Sequence, residues 1–319
     1  MQAEKAKALK SILDNSAAAR QRLNDFTARV FRTRGGRIGS GMGAVIEALW
    51  GFFLNQILVE QSGHDIELAW MYGHEYNDFA CIRRGAEWDP NTRRGELLRV
   101  EVKSMVASAD ESKAHFDRLK KELISTDLLV VFLWDWIQVP ESTASRFVRV
   151  SPQVKDYFIG KALDVAELRD ALHKERGGSF VQAGQCPDGC SSDACAHVGE
   201  PLNASGKRER LSGPKSARVS QSVSYAANFG GLVRMLKCSS TKARSVFRKI
   251  CQQKETAWEF VSFIHRNLPD EEENQYSKEE WSKMALVLGL HDPPREKSEL
   301  VQRVRAVGAR YRAALRSVS

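Results

Sequence analysis

With 319 residues, 42% hydrophobic and 28% charged, the chain is long enough for a large core and falls outside the disordered and fibrous classes. Forty-eight Lys and Arg against 40 Asp and Glu leave a formal net charge of +8, which admits a polyanionic partner without assigning one. No stretch reads as apolar for the length of a bilayer span, since the best candidate, DLLVVFLWDWIQV, is short and carries Asp135; the N-terminus lacks a signal-like apolar region, so the expectation is a cytoplasmic protein with no membrane segment.

Residues 2 to about 31 place Leu9, Ile12, Leu13, Leu23, Phe26 and Val30 among Ala, Lys, Arg and Gln, the pattern of a solvated amphipathic helix. RTRGGRIGSGMG breaks it with clustered glycines. A second helix is predicted from about Gly43 to Val59, apolar nearly all round and therefore buried. Three strand-like runs follow: IELAWMY from Ile66, DFACI from Asp78 and LLRVEVKSM from Leu97, the last two joined by the polar loop RRGAEWDPNTRRGE. Residues 109–123 read as a polar helix, opening on acids and closing on lysines. TDLLVVFLW reads as a central strand, parallel to a neighbour because it is continuously apolar. RFVRVS forms a further strand, and Val165 to Lys174 a helix.

From Arg176 the composition turns to Gly, Ser, Pro and charge without a period, and beyond about Tyr225 it returns to helical patterns. The predicted organisation is an α/β unit over residues 1–180, a Cys/His-rich linker over 181–222, and an all-α unit over 223–319. The order of the first unit is α, β, β, β, α, β.

Chemistry concentrates on LLRVEVKSM. A strand's period of two points Glu101 and Lys103 to one face while Leu98, Val100 and Val102 fill the other. An ion pair on a solvated sheet face would account for that pair, and leaves Glu47 unexplained. Glu47 is the one ionisable side chain between Arg37 and Glu60, and a lone carboxylate in an apolar helix has to be protonated, paired or bound to metal. Asp78 opens the second strand with the same difficulty. Carboxylates meeting from two strands and a helix form a hard oxygen site suited to Mg²⁺, and a nearby lysine suits phosphodiester hydrolysis.

This pattern resembles the PD-(D/E)xK, or restriction-endonuclease-like, superfamily. The resemblance covers about residues 35 to 175, with Asp78 as the motif aspartate, Glu101 and Lys103 as the (D/E)xK triplet and Glu47 as the helical acid; Asn77 stands where the family name has Pro. It implies a mixed αβββαβ sheet and a Mg²⁺-dependent endonuclease acting on double-stranded DNA, foremost a type II restriction enzyme working as a homodimer. In it Asp78, Glu101 and Glu47 hold the metal, and Lys103 aids the attacking water. The alternatives are a structure-specific repair or recombination nuclease and a non-catalytic DNA-binding regulator.

Candidate DNA contacts are Arg34 and Arg37 in the glycine-rich segment, Arg83, Arg84, Arg93 and Arg94 in the loop that leaves the catalytic strands, and Lys242, Arg244 and Arg248 in the helical half. Asp65 and Glu67 could join the acidic cluster, though a surface strand end explains them as well. Cys186, Cys190, Cys195 and His197 lie in C-x3-C-x4-C-x-H spacing, the ligand types of a structural Zn²⁺ site, with reduced thiols on a polar loop as the alternative.

Overall fold

The strand patterns between Ile66 and Lys161 come together as one five-stranded mixed sheet in a computed structural model of the chain. The structure describes residues 2–33, 41–61, 65–71, 77–107, 116, 118–139, 149–175, 177–190, 195–208, 254–267, 278–287, 289–292 and 294–316. In chain order the strands are β1 (Ile66–Trp70), β2 (Phe79–Arg83), β3 (Glu96–Val106), β4 (Leu128–Val139) and β5 (Arg149–Lys161), and they lie side by side in that order. Each neighbouring pair is antiparallel except β3 and β4, which run parallel in register from Val100↔Leu128 to Val106↔Trp134. The expectation that the TDLLVVFLW strand is central and parallel to a neighbour is met, since Leu128 to Leu133 are buried on both faces.

Two helices, α1 (Gln2–Val30) and α2 (Met42–Glu60), cover one face. Ile12, Leu23, Ile46, Trp50 and Leu54 pack with Val100, Val102, Val130 and Phe132 into the main core. Trp50 wedges edge-on against Phe79 and Phe132, with ring centroids 6.1 and 5.7 Å away. Truncating a fully buried ring of this size costs about 3–5 kcal/mol.

Burial of α2 is less complete than its composition suggests. Phe52 and Val59 are exposed, because a helix lying on a sheet hides only the stripe that faces it. Its 19 residues do have the length and hydropathy of a membrane span, which corrects the sequence reading; here its inner side is packed in the core.

Asparagines on the helices satisfy strand backbone that has no neighbour. Asn55 donates Nδ2–H to Leu68 O at 2.8 Å and accepts Leu68 N–H at 2.7 Å, closing part of the outer edge of β1. Asn24 does the same for Val154, at 3.0 and 2.8 Å, where the β4–β5 register shifts.

Helix α3 (Ala162–Glu175) follows β5, and its buried Arg169 grips the connection between β3 and β4. Arg169 Nη1 and Nη2 donate to Phe116 O at 2.7 Å and Arg118 O at 2.8 Å, and Nε and Nη2 donate to Asp170 Oδ1. Here the helix predicted over 109–123 fails in its described part. Carbonyls taken by a guanidinium no longer serve as helical acceptors, and one 3-10 turn at Lys120–Glu122 is what forms. Residues 108–115 lie outside the described ones.

A two-stranded ribbon, β6 (Ser179–Phe180) with β7 (Pro201–Leu202), frames the cysteine loop. Helix α4 (Glu255–Asn267) places Phe260 on Phe158 of β5, centroids 5.0 Å apart, while Lys254 pairs with Asp164 and Glu167 at 2.8 and 2.6 Å. The chain divides into compact units at 1–266 and 267–319. Apolar contact made across a long polar segment is not visible in composition. The second unit holds α5 (Lys278–Val287) and α6 (Lys297–Arg316), joined through Trp281, Ala285, Leu300, Val301 and Val304.

Candidate functional site

Strand β2 is shorter than β3, and the mismatch creates an opening. Pairing of β2 with β3 ends at Phe79↔Val100, so beyond Val100 the edge of β3 has no full partner strand. Asp78 sits at that step. Its N–H donates to Val100 O at 3.1 Å, and its Oδ2 accepts the Val102 N–H at 2.6 Å, continuing the ladder with a carboxylate.

Glu101 and Lys103 emerge from the same stretch of β3 and form an ion pair. Both lie on the face away from α1 and α2, as the strand alternation requires, because Val100 and Val102 belong to the core beneath those helices. Glu47, on α2, therefore comes from the opposite side of the sheet. The acids meet around the step where β2 stops.

Two glycines let α2 come close enough. Gly43, Glu47 and Gly51 recur at four-residue spacing on one side of the helix. A Cβ on Gly43 would fall 2.3 Å from Ser104 Oγ, and one on Gly51 would fall 2.6 Å from the Phe79 ring. Residues with side chains at those positions would hold the helix away from β2 and β3.

The electrostatics are those of an overcrowded acidic pocket. Burial, then the Asp78 charge, pushes Glu47 up to about 8, against the pull of Lys103 and a hydrogen bond from the Trp70 indole N–H. Glu47 and Asp78 are hydrogen-bonded, and at neutral pH Glu47 carries the shared proton and donates it to Asp78. Asp78 is itself raised by burial, opposed by the Val102 N–H and by Lys103. Burial also lifts Glu101 to about 8, with Lys103 and Arg118 pulling it back and Asp78 adding to the rise. Glu101 Oε2 is buried without a hydrogen-bond partner among the described residues. The neighbouring Asn77 donates Nδ2–H to Phe79 O at 2.8 Å while its Oδ1, too, is buried and unmatched.

All four residues singled out in the sequence, Glu47, Asp78, Glu101 and Lys103, are thus brought into one neighbourhood. Trp70, Asn77 and Arg118 were missed: an indole at the end of an edge strand has no sequence period, and Arg118 is placed by the Arg169 clamp. The three carboxylates do not close into a compact ligand set by themselves. Among the described residues, the one group whose ligand atoms all lie within 4.8 Å of one another is Cys186, Cys190 and Cys195, and this cluster can hold a metal such as zinc. His197 is not part of that group; its Nδ1 bonds Glu200 Oε1 at 3.0 Å.

The candidate DNA contacts fare unevenly. Arg83 pairs with Glu4, Arg84 with Glu67 at 3.6 Å and Arg94 with Glu87 at 2.5 Å, so Glu67 is engaged outside the acidic cluster. Arg93 sits at the loop tip with φ of 61°. Surface ion pairs of this type contribute little, and their arginines exchange readily onto other anions. Arg34, Arg37, Lys242, Arg244 and Arg248 lie outside the described residues.

No protein-family model, no curated protein and no solved structure matches the chain.

Proposed function

We propose that this protein is a Mg²⁺-dependent deoxyribonuclease with a restriction-endonuclease-like catalytic unit, hydrolysing phosphodiester bonds in double-stranded DNA as a type II restriction enzyme. The observation that carries this reading is the meeting of Glu47, Asp78, Glu101 and Lys103 at the end of β2. Buried carboxylates that have to share or take up protons to be tolerated are short of positive charge, and a divalent cation supplies it.

Two of the carboxylates offer oxygens to such an ion, although the three do not form a compact set without it. Glu101 Oε2 is a buried oxygen with no hydrogen-bond partner among the described residues, and Asp78 Oδ2 is held in place by the Val102 N–H. Asp78 and Glu101 would hold the metal, with Glu47 adjusting the charge of Asp78 through their hydrogen bond. When bound, Mg²⁺ supplies Lewis-acid polarisation of a phosphoryl oxygen and acidifies a coordinated water.

The remaining work belongs to the chain. Lys103, a quarter exposed at its side chain, orients the attacking water and stabilises charge developing on the phosphate, while its pairing with Glu101 sets the position of its ammonium. Arginines 83, 84, 93 and 94 leave β2 toward the turn into β3 and take phosphates flanking the scissile bond. Cutting both strands of a duplex needs two such sites, hence a homodimer acting on DNA in the cytoplasm.

Purified protein incubated with plasmid and phage DNA and Mg²⁺ tests the reading, with the termini sequenced. Discrete fragments with recurrent ends are expected from wild type, and none from Asp78→Ala or Lys103→Ala. Equal cleavage by wild type and both variants removes the assignment. Cleavage confined to flaps, junctions or mismatches in a panel of DNA structures would replace restriction with repair.

A further inference from the structure

The loop between β6 and β7 holds a second set of ligand atoms, unrelated to the carboxylates. Cys186, Cys190 and Cys195 are free thiols, with Cys186 and Cys195 buried, and no two of them are joined. Their sulfurs lie within 4.8 Å of one another, close to the separation of about 3.8 Å between sulfurs sharing a tetrahedral zinc at about 2.3 Å. Two main-chain N–H groups, from Asp188 and Cys190, are directed at Cys186 Sγ. The turn that aims them is tight: Gly189 takes φ of 79° and donates its N–H to Cys186 O at 3.1 Å.

The loop also prepares a fourth ligand. Glu200 Oε1 accepts from His197 Nδ1 at 3.0 Å, which keeps the proton on Nδ1 and leaves the Nε2 lone pair for coordination. Glu200 is anchored in turn by Arg208, which spans from Glu200 at 3.4 Å to Asp188 at 2.6 Å and so ties the His197 turn to the Cys186 turn. His197 stands outside the three-sulfur group.

We propose that Cys186, Cys190, Cys195 and His197 bind one structural Zn²⁺, with His197 through Nε2, and that the ion clips this loop against the segment behind Glu101. The loop reaches that segment through Lys121, whose Nζ donates to Val198 O at 2.5 Å and Ala196 O at 3.3 Å. The same segment carries Arg118, whose charge acts on Glu101. On the ribbon side, His173 Nε2 lies 3.2 Å from Ser179 O and 2.9 Å from Leu202 O, so the ends of the loop are anchored on α3 independently of the metal.

Metal analysis and Co²⁺ titration of the full chain test this, without any use of activity. Wild type is expected to carry one zinc per chain, and the stripped protein to take up Co²⁺ with the intense visible bands and sulfur charge transfer of a tetrahedral thiolate site. Cys195→Ser abolishes uptake, His197→Ala shifts the bands, and Glu200→Gln weakens affinity about 10- to 100-fold. Absence of zinc together with no thiolate-Co²⁺ spectrum in wild type overturns the site, a reading that does not depend on whether any variant folds. Unchanged bands and affinity in His197→Ala overturn the fourth ligand. Amide exchange across residues 118–123 is expected to accelerate on stripping the wild-type protein, and unchanged exchange there overturns the clip.

Discussion

Val102 donates its backbone N–H to Asp78 Oδ2 at 2.6 Å, so a carboxylate stands where the next residue of β2 would have paired. One side chain therefore caps a strand edge and presents a negative oxygen at the proposed catalytic step. Burial raises Asp78 above the usual carboxylate range, so its charge is costly in the metal-free fold. Asp78→Asn keeps an acceptor for Val102 and removes the charge. It is expected to leave the urea midpoint of the metal-free protein at neutral pH equal or higher, while cleavage disappears. Asp78→Ala strands the Val102 N–H and costs about 1–3 kcal/mol in the same measurement.

The pH dependence of stability follows from Glu47 and Glu101. Burial holds both at about 8 in the fold, against an ordinary value of 4.5. Between those limits the folded state holds more protons than the unfolded one, so stability is full below about 4.5 and falls as pH rises through about 8. Denaturation of the chelator-treated protein across this range is expected to show that decline. Glu101→Gln, neutral at every pH, flattens it, and added Mg²⁺ recovers much of the loss at the alkaline end. A wild-type profile that rises from acid to alkaline pH would contradict the electrostatics described for the pair.

Trp70 offers a finer adjustment. Its indole N–H donates to Glu47 and favours the ionised form, while its ring stacks on Phe79 at 6.1 Å with the planes 23° apart. Trp70→Phe retains the stacking surface and deletes the donor. Glu47 then holds its proton to higher pH, and the acidic limb of the pH–cleavage profile moves in the alkaline direction. Stability measured by thermal melting should change little, since Trp70 is more than half exposed.

Gly51 and Gly43 should behave differently when replaced by alanine. In an unhindered helix the change gains up to about 1 kcal/mol. At Gly51 the new methyl meets the Phe79 ring, held between Trp50 and Trp70, and overpacking of this kind costs about 1–3 kcal/mol. At Gly43 the obstacle is Ser104 Oγ, which escapes by a rotamer change. Urea unfolding is expected to show loss for Gly51→Ala and near-neutrality for Gly43→Ala, with cleavage impaired in the first because Glu47 is carried away from Asp78.

Local pattern was sufficient for α1, α2, the first four strands and α3, because each has an apolar period or an unbroken apolar run of its own; of β5 only the start, within RFVRVS, was legible, and residues 152–161 were not. It was also sufficient to pick out Glu47, Asp78, Glu101 and Lys103, since a charge inside an apolar element is conspicuous without coordinates. The helix expected over 109–123 shows where pattern fails: Arg169, some fifty residues further on, takes the carbonyls of Phe116 and Arg118. The Nδ1 contact of His197 with Glu200 is a further relation that spacing alone did not supply. The packing of Phe260 on Phe158, about a hundred residues apart, is likewise a contact that composition does not reveal.

What the amino-acid order determined by itself is which segments are buried and which of them carry a charge that demands compensation, because both depend on side-chain chemistry and on periods of two or 3.6 residues. Which side those charges approach from was decided only in three dimensions. Register, the early stop of β2 and the glycine-permitted approach of α2 are relations between distant segments, and they bring a helix on one face of the sheet to acids on the other.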